Sequence, residues 1–181
     1  MPIRTGKEFL DGLHDDRRIF MDGERIGDVT RDKRLAGAAR SLAELFDMQH
    51  DPALHDRMTF ASPSSGTPVG MSFIEPRSVD DLIRRRFMVK IWMDRTCGMF
   101  GRSPDFLNVM LTGLAAAAPE FGGSDKRFAD NIRAYHVYAR EHDLCMTHTL
   151  LNPQVDRSRR SSARRRTSPP RSSRRPMPGS S

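Results

Sequence analysis

Four runs of this chain repeat apolar residues at intervals of three and four, a spacing that commits most of its length to helices packed on one another. Between Asp32 and His50 the stripe is Leu35, Ala38, Ala39, Leu42, Leu45 and Phe46. Ser78 opens SVDDLIRRRFMVKIWMDRTCGMF, with acids in the first turn where the helix dipole favours them. The pattern predicts Ile83, Phe87, Ile91 and Trp92 on its buried side. A third helix is predicted from Ser103 to about Ala118. There Ser103 serves as cap, Pro104 occupies a first-turn position that needs no amide donor, and Leu107, Met110, Leu111 and Leu114 form the stripe. The fourth, over residues 124–142, presents Phe128, Ile132, Tyr135 and Tyr138.

Shorter elements fill the gaps. Thr5 and Glu8 have capping-box spacing ahead of Phe9, Leu10 and Leu13, so a short helix starts there. Asp22-Gly23 tolerates the positive backbone angles of a tight turn and predicts a small β-hairpin over residues 18–29. Pro63, Gly66, Pro68 and Gly70 break up residues 58–74, which read as a loop or irregular hairpin. After Asp143 the period changes, and LCMTHTLLNPQ suits a strand. The expected division is a helical domain over 1–143, the start of a β-rich region over 144–157, and a tail over 158–181.

The formal charge of +7 is unevenly spread. Of the 30 lysines and arginines, nine arginines fall between Arg157 and Ser181, where no acid occurs, leaving 21 basic against 23 acidic groups in the rest. The body is therefore slightly acidic, and the Arg/Ser/Pro tail has too little apolar surface to offset the entropy of ordering it. Two cysteines, Cys97 and Cys145, make neither a disulfide framework nor a metal-ligand pattern, and no metal is expected. No stretch reaches the roughly 18 to 20 apolar residues that span a bilayer, and the N-terminus lacks a secretory apolar run. These features together read as a soluble cytoplasmic protein.

Two stretches can carry chemistry. GMFGRSPDFLN, residues 98–108, puts Arg102 beside Gly101 at a helix entrance, where guanidinium and backbone amides can hold an anion; its plainer reading is a capped helix with a solvated arginine. CMTHTLLNPQVDRS, residues 145–158, sets His148 between two threonines, suited to hydrogen bonding or proton transfer; its plainer reading is a satisfied structural histidine.

Taken in order, RTGKEFLDGL, MDGERIGDVT, AARSLAELFDMQHDP, TFASPSSG, PRSVDDLIRRR, GMFGRSPDFLN, NIRAYHVYARE and DLCMTHTLLNPQVDRS resemble the oxygenase components of the 4-hydroxyphenylacetate 3-monooxygenase family over residues 4–158. The resemblance implies the helical N-terminal domain of an acyl-CoA dehydrogenase-like fold, followed by one strand of a β domain, from proteins that assemble as tetramers. It also implies ortho-hydroxylation of a small phenol with O2 through a flavin C4a-hydroperoxide, using reduced FAD from a separate NAD(P)H-flavin reductase. Arg102 and His148 match the catalytic pair, and Arg102, Ser103, Pro104, Asp105, Phe106 and His148 match the phenol site. His148, Thr149 and Leu150, with Gln154, Val155, Asp156 and Arg157, match flavin-contacting segments. Phe106 stands where the motif resembled has tyrosine, so the hydroxyl that would contact the phenol is missing and 4-hydroxyphenylacetate itself is put in question. The fold also resembles 4-hydroxybutyryl-CoA dehydratase, but Met93 stands four residues before Cys97 where that branch places a cluster-binding cysteine.

The family motifs stop near Ser158, an abrupt change of the kind a shifted reading frame in a GC-rich gene produces. The rival reading is a non-specific nucleic-acid binder acting through the arginine tail. The body offers it neither a basic face nor a known reading motif. A third reading is a non-catalytic fragment that associates through apolar faces covered in longer relatives.

Overall fold

The structure, a computed structural model, describes residues 3–98 and 104–146, with Pro104 and Asp105 described in their backbone only. Thr5 accepts from the Glu8 amide while Glu8 returns a bond to the Thr5 amide, starting α1 (Gly6–Asp11). Strands β1 (Ile19–Met21) and β2 (Glu24–Ile26) pair antiparallel around Asp22 and Gly23, at φ 52° and 82°, as the Asp-Gly pair predicts. Helix α2 spans Ala36–Asp47, later than the Asp32 start predicted. The Asp32 carboxylate instead accepts from the Arg34 amide at 2.9 Å and holds that segment in a turn.

A 3-10 turn (Met48–His50) and a short α3 (His55–Met58), which the sequence reading did not anticipate, lead to strands β3 (Thr59–Ala61) and β4 (Pro68–Gly70). These two pair antiparallel around Pro63 and Gly66, the irregular hairpin that the punctuation allows. The turn is tied down across the fold. Ser62 and Ser65 donate to the Glu141 carboxylate at 2.5 and 2.8 Å, and Arg140 Nη2 donates to Ser64 Oγ at 2.7 Å.

Helix α4 (Val79–Arg95) buries Met88 and Trp92, whereas Ile83 and Phe87 of the predicted stripe turn outward, and Ile91 is half-buried. The core of Leu45, Met58, Met71 and Ile74 meets the helix about 100° beyond Phe87 and Ile91, at Met88 and at Trp92, the member of the predicted stripe that is buried as expected. There Trp92 Nε1 donates to the Leu45 carbonyl at 3.3 Å. Helix α5 (Pro104–Ala116) stops before Ala117, and α6 (Ala118–Phe121) begins with its own proline.

Helix α7 (Lys126–Glu141) likewise reverses its expected face. Ala129, His136, Ala139 and Arg140 are buried, while Phe128, Tyr135 and Tyr138 are exposed and Ile132 half-buried. Small side chains let α6 and α7 approach closely, and polar ones find polar partners: His136 Nε2 lies 3.2 Å from Thr112 Oγ1. Aromatic bulk is left for the outer surface.

Helix α7 ends in a left-handed residue, Asp143 (φ 45°), with Leu144 N–H bonded to Ala139 O and Asp143 N–H to Arg140 O, the Schellman pattern. Leu144 and Met146 then pack on the cluster of Phe73, Leu111 and Ala139. The predicted strand is therefore not formed over residues 144–146, whose side chains serve the helical core, and its remainder lies outside the described residues. The chain divides into a compact unit, Met1–Thr147, and a second stretch, His148–Ser181, outside the described residues. Among the described residues no helix is long and apolar enough to cross a membrane.

Candidate functional site

Of the site predicted from sequence, Arg102, Ser103, His148, Thr149, Leu150, Gln154, Val155, Asp156 and Arg157 lie outside the described residues. Pro104 and Asp105 form the first turn of α5, and Phe106 follows them with 44% of its surface exposed. What the structure does bring together is helix α5 and residues 144–146, the described segments that neighbour the candidates in sequence. Arg102 precedes Pro104 by two positions, and His148 follows Met146 by two.

Those segments wall one groove of about 680 Å³. Helix α5 contributes Leu107, Met110, Leu111 and Leu114, and α7 contributes Asn131, Ile132 and Tyr135. Leu144, Cys145 and Met146 close the third side. None of these side chains is an acid, an arginine or a lysine, so the groove suits an apolar or aromatic guest. Its polar groups sit at the wall: Tyr135 Oη donates to Met146 Sδ at 3.8 Å. Burial pushes the Cys145 thiol from 9.0 up to about 11, against a smaller opposing pull from Arg4, so it is an uncharged thiol at neutral pH.

Behind α5 runs a buried polar ladder that periodicity did not reveal. Asn108 Nδ2 donates to Ser72 Oγ at 2.8 Å, and Thr112 Oγ1 donates to the Asn108 carbonyl at 2.7 Å and meets His136. Burial first, and the nearby Arg140 charge second, lower the His136 pKa, favouring the neutral ring. Residues with hydrogen-bonding side chains on the inner face of α5 and in NIRAYHVYARE were the only available hint.

A second network fixes the direction in which the chain leaves α7. The Arg4 main-chain N–H and the Gln49 side-chain amide donate to Asp143 Oδ2 at 3.1 and 2.8 Å, and Arg4 Nε donates to the Asp143 carbonyl at 2.9 Å. The Arg4 guanidinium also lies 4.9 Å from the Phe46 ring centroid, a cation–π contact. Asp143 is buried, and desolvation raises its pKa, with Gln49 and Arg4 opposing. These residues position Leu144–Met146, and hence the groove wall. No local spacing could link positions separated by 94 and 139 residues.

Residues 5–169 match the family described as 4-hydroxyphenylacetate 3-hydroxylase N terminal. The chain is 40% identical over 160 residues to the 4-hydroxyphenylacetate 3-monooxygenase oxygenase component of Geobacillus sp., covering 88% of this chain and 32% of that one. It is 41% identical over 157 residues to the oxygenase component of the same name from Thermus thermophilus, covering 86% and 31%. A solved structure of the oxygenase component of 4-hydroxyphenylacetate 3-monooxygenase complexed with FAD and 4-hydroxyphenylacetate superposes with a TM-score of 0.77 at 40% identity, over 86% of this chain and 32% of that one. An archaeal 4-hydroxybutyryl-CoA dehydratase shares the fold alone, at TM-score 0.72 and 16% identity. The body is thus mainly helical and acyl-CoA dehydrogenase-like. Spanning about a third of the length of the relatives it matches, this chain belongs to the 4-hydroxyphenylacetate 3-hydroxylase N-terminal family.

Proposed function

We propose that the chain is the N-terminal portion of a two-component, FADH2-dependent phenol monooxygenase that ortho-hydroxylates a 4-hydroxyphenylacetate-like substrate. One observation carries this reading: α5, which begins two residues after Arg102, and Leu144–Met146, which stop two residues before His148, wall the same uncharged groove. The groove's apolar walls fit an aromatic ring. Reduced FAD, delivered by a separate NAD(P)H-dependent reductase, supplies the activation of dioxygen when bound.

The chain's own residues then have three tasks. Arg102 holds a permanent positive charge toward the phenol oxygen and favours its ionised form. His148 hydrogen-bonds the same hydroxyl and accepts its proton. The leucines and Ile132 exclude water from the ring. Residues His148, Thr149, Leu150, Gln154, Val155, Asp156 and Arg157 are assigned to the flavin.

Grafting residues 1–157 in place of the matching third of the Thermus thermophilus relative tests the assignment. The graft should hydroxylate 4-hydroxyphenylacetate, and Arg102→Ala and His148→Ala should each lower kcat/KM by about 100-fold or more, within the range for lost charge stabilisation or proton transfer. Reduction of free FAD by the reductase should not change. Normal hydroxylation by both variants overturns the roles. The 181-residue polypeptide, which spans about a third of its relatives' length, should turn over little on its own.

A further inference from the structure

A second cavity, of about 370 Å³, shares no residue with the groove. It lies between the last turn of α5, the second half of α7 and the loops that carry Ser64 and Arg77. Arg77, Arg133 and Arg140 all line it, against one carboxylate among the described residues, that of Glu75. Like charges gathered round one small space repel each other, and an anion placed among them relieves the repulsion.

Arg140 is the deciding residue. Its side chain is only 7% exposed, and a buried guanidinium is costly unless its donors are used. Nε donates to Glu141 at 2.9 Å and Nη2 to Ser64 Oγ at 2.7 Å, but nothing among the described residues accepts from Nη1. Ser64 accepts that bond and so keeps its own hydroxyl proton to give. The Glu141 carboxylate is already taken up by Ser62, Ser65 and Arg140. Arg133 makes no ion pair with any described residue. Arg77 meets Glu75 at 3.7 Å, an exposed pair of the kind that contributes little.

The lining is thus rich in donors and poor in acceptors, with three guanidiniums to one carboxylate and an apolar side formed by Ala115 and Val137. Two positive charges in excess match a dianion better than a carboxylate, and several separate donors suit a group with three oxygens. We infer that this cavity binds a phosphate monoester bearing a small apolar group, its oxygens held by Arg133, Arg140 Nη1 and the Ser64 hydroxyl and its apolar part resting on Ala115 and Val137. The inference stands apart from the flavin and phenol roles proposed above, so the failure of either leaves the other intact.

Calorimetric titration of the full 181-residue chain with phenyl phosphate, at fixed ionic strength and above about pH 7 where the monoester is a dianion, tests it. Binding should saturate at one site per chain, inorganic phosphate should compete, and benzoate should bind about tenfold or more weakly. Arg77→Gln and Arg133→Gln, both at exposed positions, should each weaken binding by about tenfold, as loss of a charge-assisted hydrogen bond does, with circular dichroism unchanged. Arg86→Gln on α4, outside the cavity, should change it by less than about twofold. The ring resonances of His136, which lines the cavity, should move as phenyl phosphate saturates, and those of His14 should stay in place. Absence of saturable binding, benzoate as tight as phenyl phosphate, unchanged affinity in Arg133→Gln or a still His136 resonance overturns the inference. So does an equal loss with Arg86→Gln, which would put the anion on arginines in general, those between Arg157 and Ser181 included.

Discussion

Arg4 and Asp143, 139 positions apart, are joined through both main chain and side chain: the Arg4 amide donates to the Asp143 carboxylate and the Arg4 Nε to the Asp143 carbonyl. The residue that precedes α1's cap thereby clamps the residue that ends α7.

Removing that carboxylate should be costly in one way and helpful in another. Asp143→Ala strands the buried Gln49 amide and the Arg4 N–H, and should cost about 2–4 kcal/mol of unfolding free energy. Asp143→Asn keeps an acceptor and removes a buried charge. Because burial raises the native pKa, the native state binds a proton that the unfolded chain, titrating near 4, gives up first. Wild-type stability from this group is therefore present below about pH 4 and lost as pH rises through the native value. Urea titrations should show the Asn variant gaining on wild type between pH 4 and pH 7; a constant difference refutes this.

His136 works with the opposite sign. Burial and then Arg140 depress its pKa, so the unfolded chain takes up the proton first, near pH 6.5. Its contribution is present above that pH and lost as pH falls toward the native value. Wild type should lose stability more steeply than His136→Gln between pH 7 and pH 5, as read from denaturant midpoints.

Two glycines should respond in opposite directions to alanine. A Cβ on Gly6 would stand 2.5 Å from the Ala43 carbonyl oxygen, against helix backbone, so Gly6→Ala should destabilise by about 1–3 kcal/mol. Gly113, within α5, has nothing within 4 Å of the added carbon. Its replacement should stabilise by about 0.5–1 kcal/mol through helix propensity alone. Thermal melts of the two variants make the comparison.

The cysteines should separate by reactivity. Cys97 is exposed, whereas the Cys145 thiol is pushed up to about 11. At pH 8 that leaves Cys145 about 100-fold less thiolate than a thiol at the ordinary value, so iodoacetamide should label Cys97 first. Mass spectrometry of tryptic peptides over a time course reads the order.

Phe106 offers a gain-of-function test of the proposed phenol site. In the graft described above, Phe106→Tyr supplies a hydroxyl, and one added hydrogen bond should lower the KM for 4-hydroxyphenylacetate by about tenfold. No change in KM would place position 106 away from the ring's polar end.

The legible part of the fold was local. Thr5 with Glu8 and Asp22 with Gly23 specify their turns through neighbours only a few positions away, and both elements stand where those pairs place them. The inward faces of α4 and α7 were not legible, because a three-and-four rhythm establishes that stripes exist without saying which one meets a partner. On α7, His136 and Arg140 go inside since Thr112 and Ser64 are there to receive them, a fact held elsewhere in the chain. The same applies to the candidate site. Motifs marked Arg102 and His148, but the groove beside their segments is assembled by Arg4, Gln49 and Asp143, which carry no motif at all.

The serine-rich turn after β3 shows what such distant ties do mechanically. Ser62, Ser64 and Ser65 are laced to Arg140 and Glu141, while β3 and β4 pair on either side. A protease cut between Ser65 and Gly66 would leave each new end anchored by its own attachments, so the nicked molecule should travel as one particle under native conditions and separate only when unfolded.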